Sequence, residues 1–329
     1  MSDTTGKAPS SLRPPDLKGL APFLALALLI AIGSLVHPKF LTFDNLVQNV
    51  ATRASFIAVI AIGATFVMAA GGLDLSVGSM AAFVAGAMLL FLKANGDATT
   101  ATVLMAMGLA LAAGAFCGLV NGAITTVGKI EPFITTLGTM VILRSLFTWL
   151  ANGGSISIPP ATKDFVAPIY SGTLLGIPVP LVTVALVAIA GAFLLYRTPF
   201  GRHVIAVGSS EDVARYSGIS VGRIKLWTYV IQGFCTGIAV ILYVPRLGSA
   251  NSGTGLYWEL QAITAVVVGG TQLRGGAGRV FGTLAGALFL EIIGNILTLS
   301  NVNVYLIGAV QGAIIIIAML AQRTLMRRM

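Results

Sequence analysis

Charge is scarce in this chain. Of 329 residues, 9% are Asp, Glu, Lys or Arg and 56% are hydrophobic, whereas a soluble domain carries about a quarter charged residues. A water-exposed surface cannot be assembled from so few, which excludes an ordinary soluble enzyme. Disorder is excluded too, because disordered chains are poor in apolar residues and rich in charge. The two cysteines, Cys117 and Cys235, lie inside apolar runs, so no disulfide framework follows from them. His37 and His203 are the only histidines, and no Cys-x-x-Cys or His-x-x-x-His pattern occurs, so no metal site is expected. Nucleotide motifs also fail. The glycine-rich stretch 269–279 has Phe281 where the last glycine of a dinucleotide fingerprint belongs. Residues 123–129 depart from a P-loop at both ends, with Ala123 for the first glycine and Ile130 after Lys129 in place of Ser or Thr.

What is abundant is glycine, 39 residues of it, and long apolar runs, with a mean hydropathy of +0.93. A helix needs about 20 mostly apolar residues to cross a hydrocarbon core. Ten runs qualify as candidates: 20–36, 54–70, 80–92, 101–126, 133–150, 179–196, 226–244, 260–269, 280–297 and 304–321. The third and eighth are short and adjoin glycine-rich stretches, the pattern of broken or re-entrant helices, which are tolerated only where they line a cavity or pack on protein. The expectation is an all-α polytopic membrane protein. Residues 1–19 form an N-terminal cytoplasmic tail, 20–321 one transmembrane domain, and 322–329 a short basic cytoplasmic tail. The first run is read as a retained helix, since it continues through Val36 to His37 and Pro38 without a small-x-small cleavage site.

The net charge of +9 fits that topology. With the N-terminus inside, inside segments hold fourteen of the twenty Lys and Arg; Lys39, Arg53, Lys93, Arg144, Lys163 and Arg246 are outside or embedded. This is the positive-inside bias, and an even number of spans places both termini inside. The basic balance therefore needs no nucleic acid partner. Glycines recur every four positions at Gly114, Gly118 and Gly122, at Gly233 and Gly237, at Gly282 and Gly286, and at Gly308 and Gly312. Such spacing lets helix backbones approach closely.

Three places depart from lipid-facing helix. In 71–78, GGLDLSVG, Asp74 costs at least about 2.5 kcal/mol in a membrane setting. It needs donors, from backbone exposed by the glycines or from the helix starting after Ser76; the plainer reading is a helix cap. The loop 197–225 is centred on SSEDVARYSGI (209–219), where Ser210 precedes acidic residues and Gly218 closes a short amphipathic helix. This is a docking element or a solvated turn. The third place is GGTQLRGGAG (269–278). Among embedded polar residues, Asn121, Gln232, Asn295 and Gln311 are candidates for a translocation path or for interhelical hydrogen bonds. Arg144 and Glu291 are the costliest embedded charges, and either pair with each other or snorkel separately.

The segments GGLDLSVG, SSEDVARYSGI and AITAVVVGGTQLRGGAGRVFGT (262–283), in that order and spacing, resemble the permeases of ribose-type bacterial ABC importers, relatives of the branched-chain amino acid permeases. The resemblance covers roughly residues 20–321. It implies about ten transmembrane helices in the bacterial inner membrane and a dimer of permease subunits, identical or related. It further implies separate ATPase subunits that carry ATP and Mg²⁺, and a periplasmic sugar-binding protein. This chain would bind no cofactor and catalyse no reaction. The resemblance places coupling to the ATPase at Ser210, Glu211, Asp212, Arg215 and Gly218, and path or gating roles fall to Asp74, Ser76 and the four amides above. Ser210, Val213 and Tyr216 stand where the family commonly has Asn, Ala and Leu; Trp258 interrupts, and Gln261 alters, the usual Tyr-Glu-Leu-Asp corner. A branched-chain amino acid permease of the same architecture and an ion-coupled transporter acting alone are the alternatives.

Overall fold

A helix that is apolar on every side must be buried on every side, and Thr52–Ala69 is such a helix: every residue in it except Arg53 is buried. In the computed structural model, which describes residues 17–95, 99–303, 305–310, 312, 313 and 316, it is the central post of a helical bundle. The helices are α1 (Leu17–Val36), α2 (Thr52–Ala69), α3 (Val77–Ala94), α4 (Thr100–Thr126), α5 (Pro132–Leu150), the short α6 (Lys163–Val166) and α7 (Pro168–Ser171), α8 (Val179–Arg197), α9 (Pro199–Ser209), α10 (Glu211–Tyr216), α11 (Val221–Leu247), α12 (Trp258–Val268) and α13 (Val280–Leu299). A wider helical stretch, Asp44–Ala51, runs directly into α2, giving one 26-residue rod.

The most extensive helix pair is α4 with α11. Lipid tails are as apolar as leucine, so close backbone approach and van der Waals contact must hold such a pair. The glycine ladder supplies it. A Cβ on Gly118 would collide with the Tyr229 carbonyl, one on Gly114 with the Gly233 carbonyl, and one on Gly233 with the Gly114 carbonyl. Gly282 and Gly286 of α13 do the same against Gly269 and the Ala265 carbonyl beside α12. Gly308 has open space around it, and so does Gly312, so the last glycine pair packs on nothing in the described chain. By contrast α5 and α8 turn large apolar side chains outward, among them Ile134, Val141, Ile142, Leu186, Ile189 and Phe193.

Several sequence expectations change. Among the described residues, seven helices are long and apolar enough to cross a membrane: the Asp44–Ala69 rod, α3, α4, α5, α8, α11 and α13. α1 is a shorter apolar helix over its described part. The third run is not short. α3 spans 18 residues, beginning at Val77 inside the glycine-rich stretch and ending at Ala94, with Gly86 packed under the Phe147 ring. The eighth run is short: α12 has 11 residues. The tenth run lies only partly within the described residues, with 305–310 helical, and Gln311 lies outside them. The inside loop is also more ordered than expected, since α9 fills the stretch before α10. Finally the chain is not purely helical. Ser155–Ser157 (β1) pairs antiparallel with Ser249–Asn251 (β4), and Thr173–Leu174 (β2) with Ile177–Pro178 (β3).

The α4–α11 seam predicts a sharp contrast between glycines. Gly118→Val should lower the melting temperature of the detergent-solubilised protein by the equivalent of about 1–3 kcal/mol of overpacking. Gly108→Ala, whose Cβ meets nothing, should stay within about 0.5 kcal/mol. Equal melting of the two variants would show that the seam does not depend on backbone contact.

Candidate functional site

All three unusual sequence segments meet at one end of the bundle. α2 stops at Ala70, and Gly71, at φ +80°, turns the chain out of the helix: its N–H bonds the Met68 carbonyl at 2.9 Å and that of Gly72 the Val67 carbonyl at 2.9 Å. This double bond closes a helix C-terminus on a left-handed residue, a conformation glycine adopts without strain. The Ala69 carbonyl accepts from the Gly276 N–H at 3.0 Å, which belongs to the α12–α13 loop. Gly208, on the last turn of α9, fills the remaining space: a Cβ there would strike the Ala69 carbonyl and lie 2.6 Å from the Gly276 nitrogen. The end of α2, the segment leading into α10 and the α12–α13 loop are therefore in backbone contact.

Beyond Gly71 the chain is non-helical as far as Ser76 and restarts as α3. Asp74 is 6% exposed and Ser76 fully buried. The Asp74 Oδ1 accepts from the Ser76 N–H at 2.8 Å and from its hydroxyl at 2.6 Å, and Asn121 Nδ2 of α4 donates to Ser76 Oγ at 2.8 Å, with both carboxylate oxygens 3.5 Å away. Burial disfavours a carboxylate and these donors offset it; among the described residues no basic side chain forms an ion pair with Asp74. Ser76 occupies the cap position of α3 but its side chain does not cap; the aspartate does the local work two residues earlier, as Asx side chains do in turns. The Tyr229 hydroxyl of α11 donates to the Leu73 carbonyl at 3.1 Å. The break is thus pinned to both members of the α4–α11 pair. Tyr229 and Gly208 were not singled out in the sequence; a polar tip inside an apolar helix and a glycine bordering the docking segment were the available signals.

The other polar candidates are separate. Gln232 is fully buried, packed beside Gly63 of α2, and neither amide atom has a hydrogen-bond partner among the described residues. Asn295 and Asn45 exchange side-chain hydrogen bonds at 2.8 and 2.9 Å, tying α13 to the rod that carries α2.

α10 is the short helix expected in the inside loop. Ser210 accepts from the Val213 N–H at 3.4 Å, and Gly218, at φ +79°, ends it through bonds from its own N–H to Arg215 and from Ile219 to the Ala214 carbonyl, both 3.0 Å. One face is seated: Ala214 packs with Val207 and Val221. The opposite face presents Val213 and Tyr216, 63% and 90% exposed, with the exposed Asp212 and Arg215. Glu211 pairs with Lys225 of α11, a partner the sequence reading did not name. A cleft of ≈ 670 Å³ runs between α10 and the α4–α5 turn, lined by Lys129, Glu131, Glu211, Arg215 and Lys225.

At the other end, Arg144 and Glu291 do not pair. Arg144 lies two turns inside α5, about 9 Å from its end, and its Nη1 donates to the carbonyls of Ser252 at 2.8 Å and Thr254 at 2.6 Å. Those carbonyls belong to the non-helical stretch ahead of α12, which reaches α3: Gly255 and Gly78 are in mutual backbone contact. Non-helical backbone leaves its polar groups without ladder partners, and Arg144 supplies a donor to two of them. Glu291 is instead within electrostatic reach of Arg53 and Arg246, and the Arg246 guanidinium lies 5.4 Å from the Phe56 ring centroid and 5.9 Å from that of Tyr170.

A bundle of membrane-length helices, with an interrupted helix and a cytoplasmic-type basic end carrying an exposed short helix, defines a multi-pass membrane protein. Residues 46–319 match the family model described as branched-chain amino acid transport system / permease component, and the chain belongs to that family. It is 38% identical over 304 residues to the ribose import permease protein of Haemophilus influenzae, covering 92% of each chain. It is 38% identical over 307 residues to the ribose import permease protein of Bacillus subtilis, covering 93% of each. The D-allose transport system permease protein of Escherichia coli is 34% identical over 302 residues, 92% of this chain and 90% of that one.

The Asp74 network makes an ordered prediction. Asp74→Leu leaves the Ser76 N–H and hydroxyl without their buried acceptor, at a cost of about 1–3 kcal/mol for each group, and should impair both thermal stability and transport. Asp74→Asn keeps one acceptor oxygen and should retain most of both. Wild-type melting and transport in the leucine variant would remove Asp74 from this role.

Proposed function

We propose that this chain is the membrane-spanning subunit of an ATP-driven importer for a monosaccharide or related polyol, forming the passage and drawing energy from ATPases on separate chains. The observation that carries this reading is the end-to-end similarity to permeases named for ribose and D-allose, which favours a sugar over the amino acids in the family description. The complete path pairs this chain with a second permease, identical or related, two cytoplasmic ATPase subunits holding ATP and Mg²⁺, and a periplasmic binding protein that delivers the sugar. About ten helical segments per chain lie in the bacterial inner membrane. Both termini are cytoplasmic, because the α9–α10 end collects Lys129, Arg202, Arg215, Arg223, Lys225 and Arg274. The sugar leaves unchanged, so no residue is catalytic.

In mechanism, α10 docks on the ATPase through Glu211, Asp212, Val213, Arg215 and Tyr216, with Ser210 and Gly218 setting its ends. Closure of the ATPases on ATP displaces α10 and, through the last turn of α9, Gly208. Gly208 bears on the Ala69 carbonyl, so the displacement arrives at the α2–α3 break, where Asp74, Ser76 and Asn121 pass it to α4 and Tyr229 to α11. Alternation between outward and inward states then requires that ATP-bound ATPase interact differently with the two.

Reconstitution in proteoliposomes is the decisive experiment. Uptake of D-ribose, D-allose or L-arabinose that requires added ATPase, binding protein and ATP is expected; uptake by this chain alone on an ion gradient would overturn the reading in favour of a secondary transporter. Charge reversal probes the docking. Glu211→Lys and Arg215→Glu should leave the chain inserted while weakening ATPase association at least about tenfold, since like-charge juxtaposition at an interface costs several kcal/mol. Co-purification and uptake measure both effects, and normal uptake in either variant would take α10 out of the mechanism.

A further inference from the structure

The outer half of α5 carries a surface that lipid does not explain. Ser145, Thr148, Trp149 and Asn152 recur at i, i+3, i+4 and i+7, so they share one stripe along the helix and its C-terminal turn. Trp149 is 73% exposed, and Ser145 and Asn152 are also exposed. With Arg144 and Gly153 they line a cleft of ≈ 530 Å³, within the range of small-molecule sites. The Ser145 hydroxyl and the Asn152 amide make no side-chain hydrogen bond among the described residues, while Thr148 donates to the Arg144 carbonyl at 2.9 Å and keeps its acceptor lone pairs. Arg144 uses one terminal nitrogen on the Ser252 and Thr254 carbonyls; a guanidinium has five donors, so others are left at the cleft. The other large exposed side chains of α5 are apolar, Phe133, Ile134, Leu137, Val141, Ile142 and Leu146, so the polar cluster is confined to its C-terminal turns.

We infer that this cleft is a sugar-binding subsite on the outer part of the translocation path, with Trp149 as the platform for the apolar C–H face of a pyranose or furanose. Ser145, Thr148, Asn152 and Arg144 address its hydroxyls. The chemistry fits a neutral polyol: one flat apolar surface, several neutral donors and acceptors, and a cation whose charge is already engaged by backbone carbonyls. The exposed Ser145 and Asn152, with the half-buried Thr148 between them on the same stripe, face water or a polar ligand in preference to hydrocarbon tails, where exposed polar groups cost free energy. The inference rests on the sugar-importer reading above, and deepens it by placing the cargo.

Ser145→Cys gives the direct test, because Cys117 and Cys235 are both buried. In the assembled importer in proteoliposomes, a membrane-impermeant thiol reagent is expected to label the new cysteine, and a high concentration of the transported sugar (D-ribose, D-allose and L-arabinose tried in turn) is expected to slow labelling. The second readout is uptake. Trp149→Ala should lower it about tenfold, the equivalent of about 1.4 kcal/mol and of the order of an aromatic contact, with Trp149→Phe within about twofold. No labelling of Ser145→Cys, or labelling indifferent to sugar together with full uptake in Trp149→Ala, overturns the subsite and assigns the stripe to lipid or to the second permease. Wild-type importer that takes up none of the three sugars overturns the sugar reading itself, a separate outcome.

Discussion

The rest of the structure depends on how α2 is allowed to stop. A helix that ends inside a bundle leaves its last carbonyls without partners, and in a low-dielectric interior each orphaned group costs free energy of kcal/mol size. Here the Ala69 carbonyl is taken by the Gly276 N–H at 3.0 Å, while Gly71 and Gly72 turn back onto Met68 and Val67. That solution requires backbone from α12–α13 to reach the end of α2, which in turn requires Gly208 to leave room between them. A side chain at Gly208 would strike the Ala69 carbonyl and the Gly276 nitrogen and force these segments apart. The convergence is therefore a consequence of satisfying one helix end.

The same physics governs the second interruption. The non-helical stretch before α12 presents the Ser252 and Thr254 carbonyls to α5, and Arg144 supplies their donor. The two interruptions are not independent, because α3, which begins where the first one ends, touches the second through Gly78 and Gly255. A continuous layer of non-helical backbone and glycine contacts thus links the α9–α10 end to the opposite end of the bundle, running from Gly208 through Gly71 and Asp74 to Gly78, Gly255 and Arg144. Regular helices on either side are stiff.

Much of this was legible in the sequence. Apolar runs located the long helices, and the four-residue glycine spacing marked α4 and α11 as helices that approach a neighbour closely without saying that they face each other, because both are local or periodic signals. Ser210 and Gly218 marked the ends of α10 by cap chemistry that operates within four residues. What escaped depended on partners distant along the chain. Nothing local shows that Arg144 donates to carbonyls 108 and 110 residues away, and so its pairing with Glu291 stood as an open option. Asn295 gave no sign that Asn45 was its partner. The length of α3 was misjudged because the glycine-rich stretch ahead of Met80 reads as non-helical, whereas the helix begins at Val77 and takes in Gly78 and Ser79. α9 went unnoticed since its basic and glycine residues read as loop. The β1–β4 pairing joins residues far apart in sequence, which no short pattern encodes.

The embedded charges also constrain what passes through. Asp74 is held by Ser76 and Asn121, Arg144 by two carbonyls, and Arg246 lies over Phe56 and Tyr170 within electrostatic reach of Glu291. Each is held in place by the chain's own groups, and Glu259 of α12 lies within electrostatic reach of Arg144. A zwitterionic cargo needs localized counter-charges along its way, since moving a bare charge into low dielectric costs far more than moving a hydroxyl. A polyol needs only neutral donors and acceptors that can exchange for water. The exposed polar groups on the outer turns of α5 are mostly of that neutral kind, with the one cation among them already committed to holding a loop. The arrangement of charge, and not only the ancestry of the chain, therefore matches a neutral, hydroxyl-rich substrate.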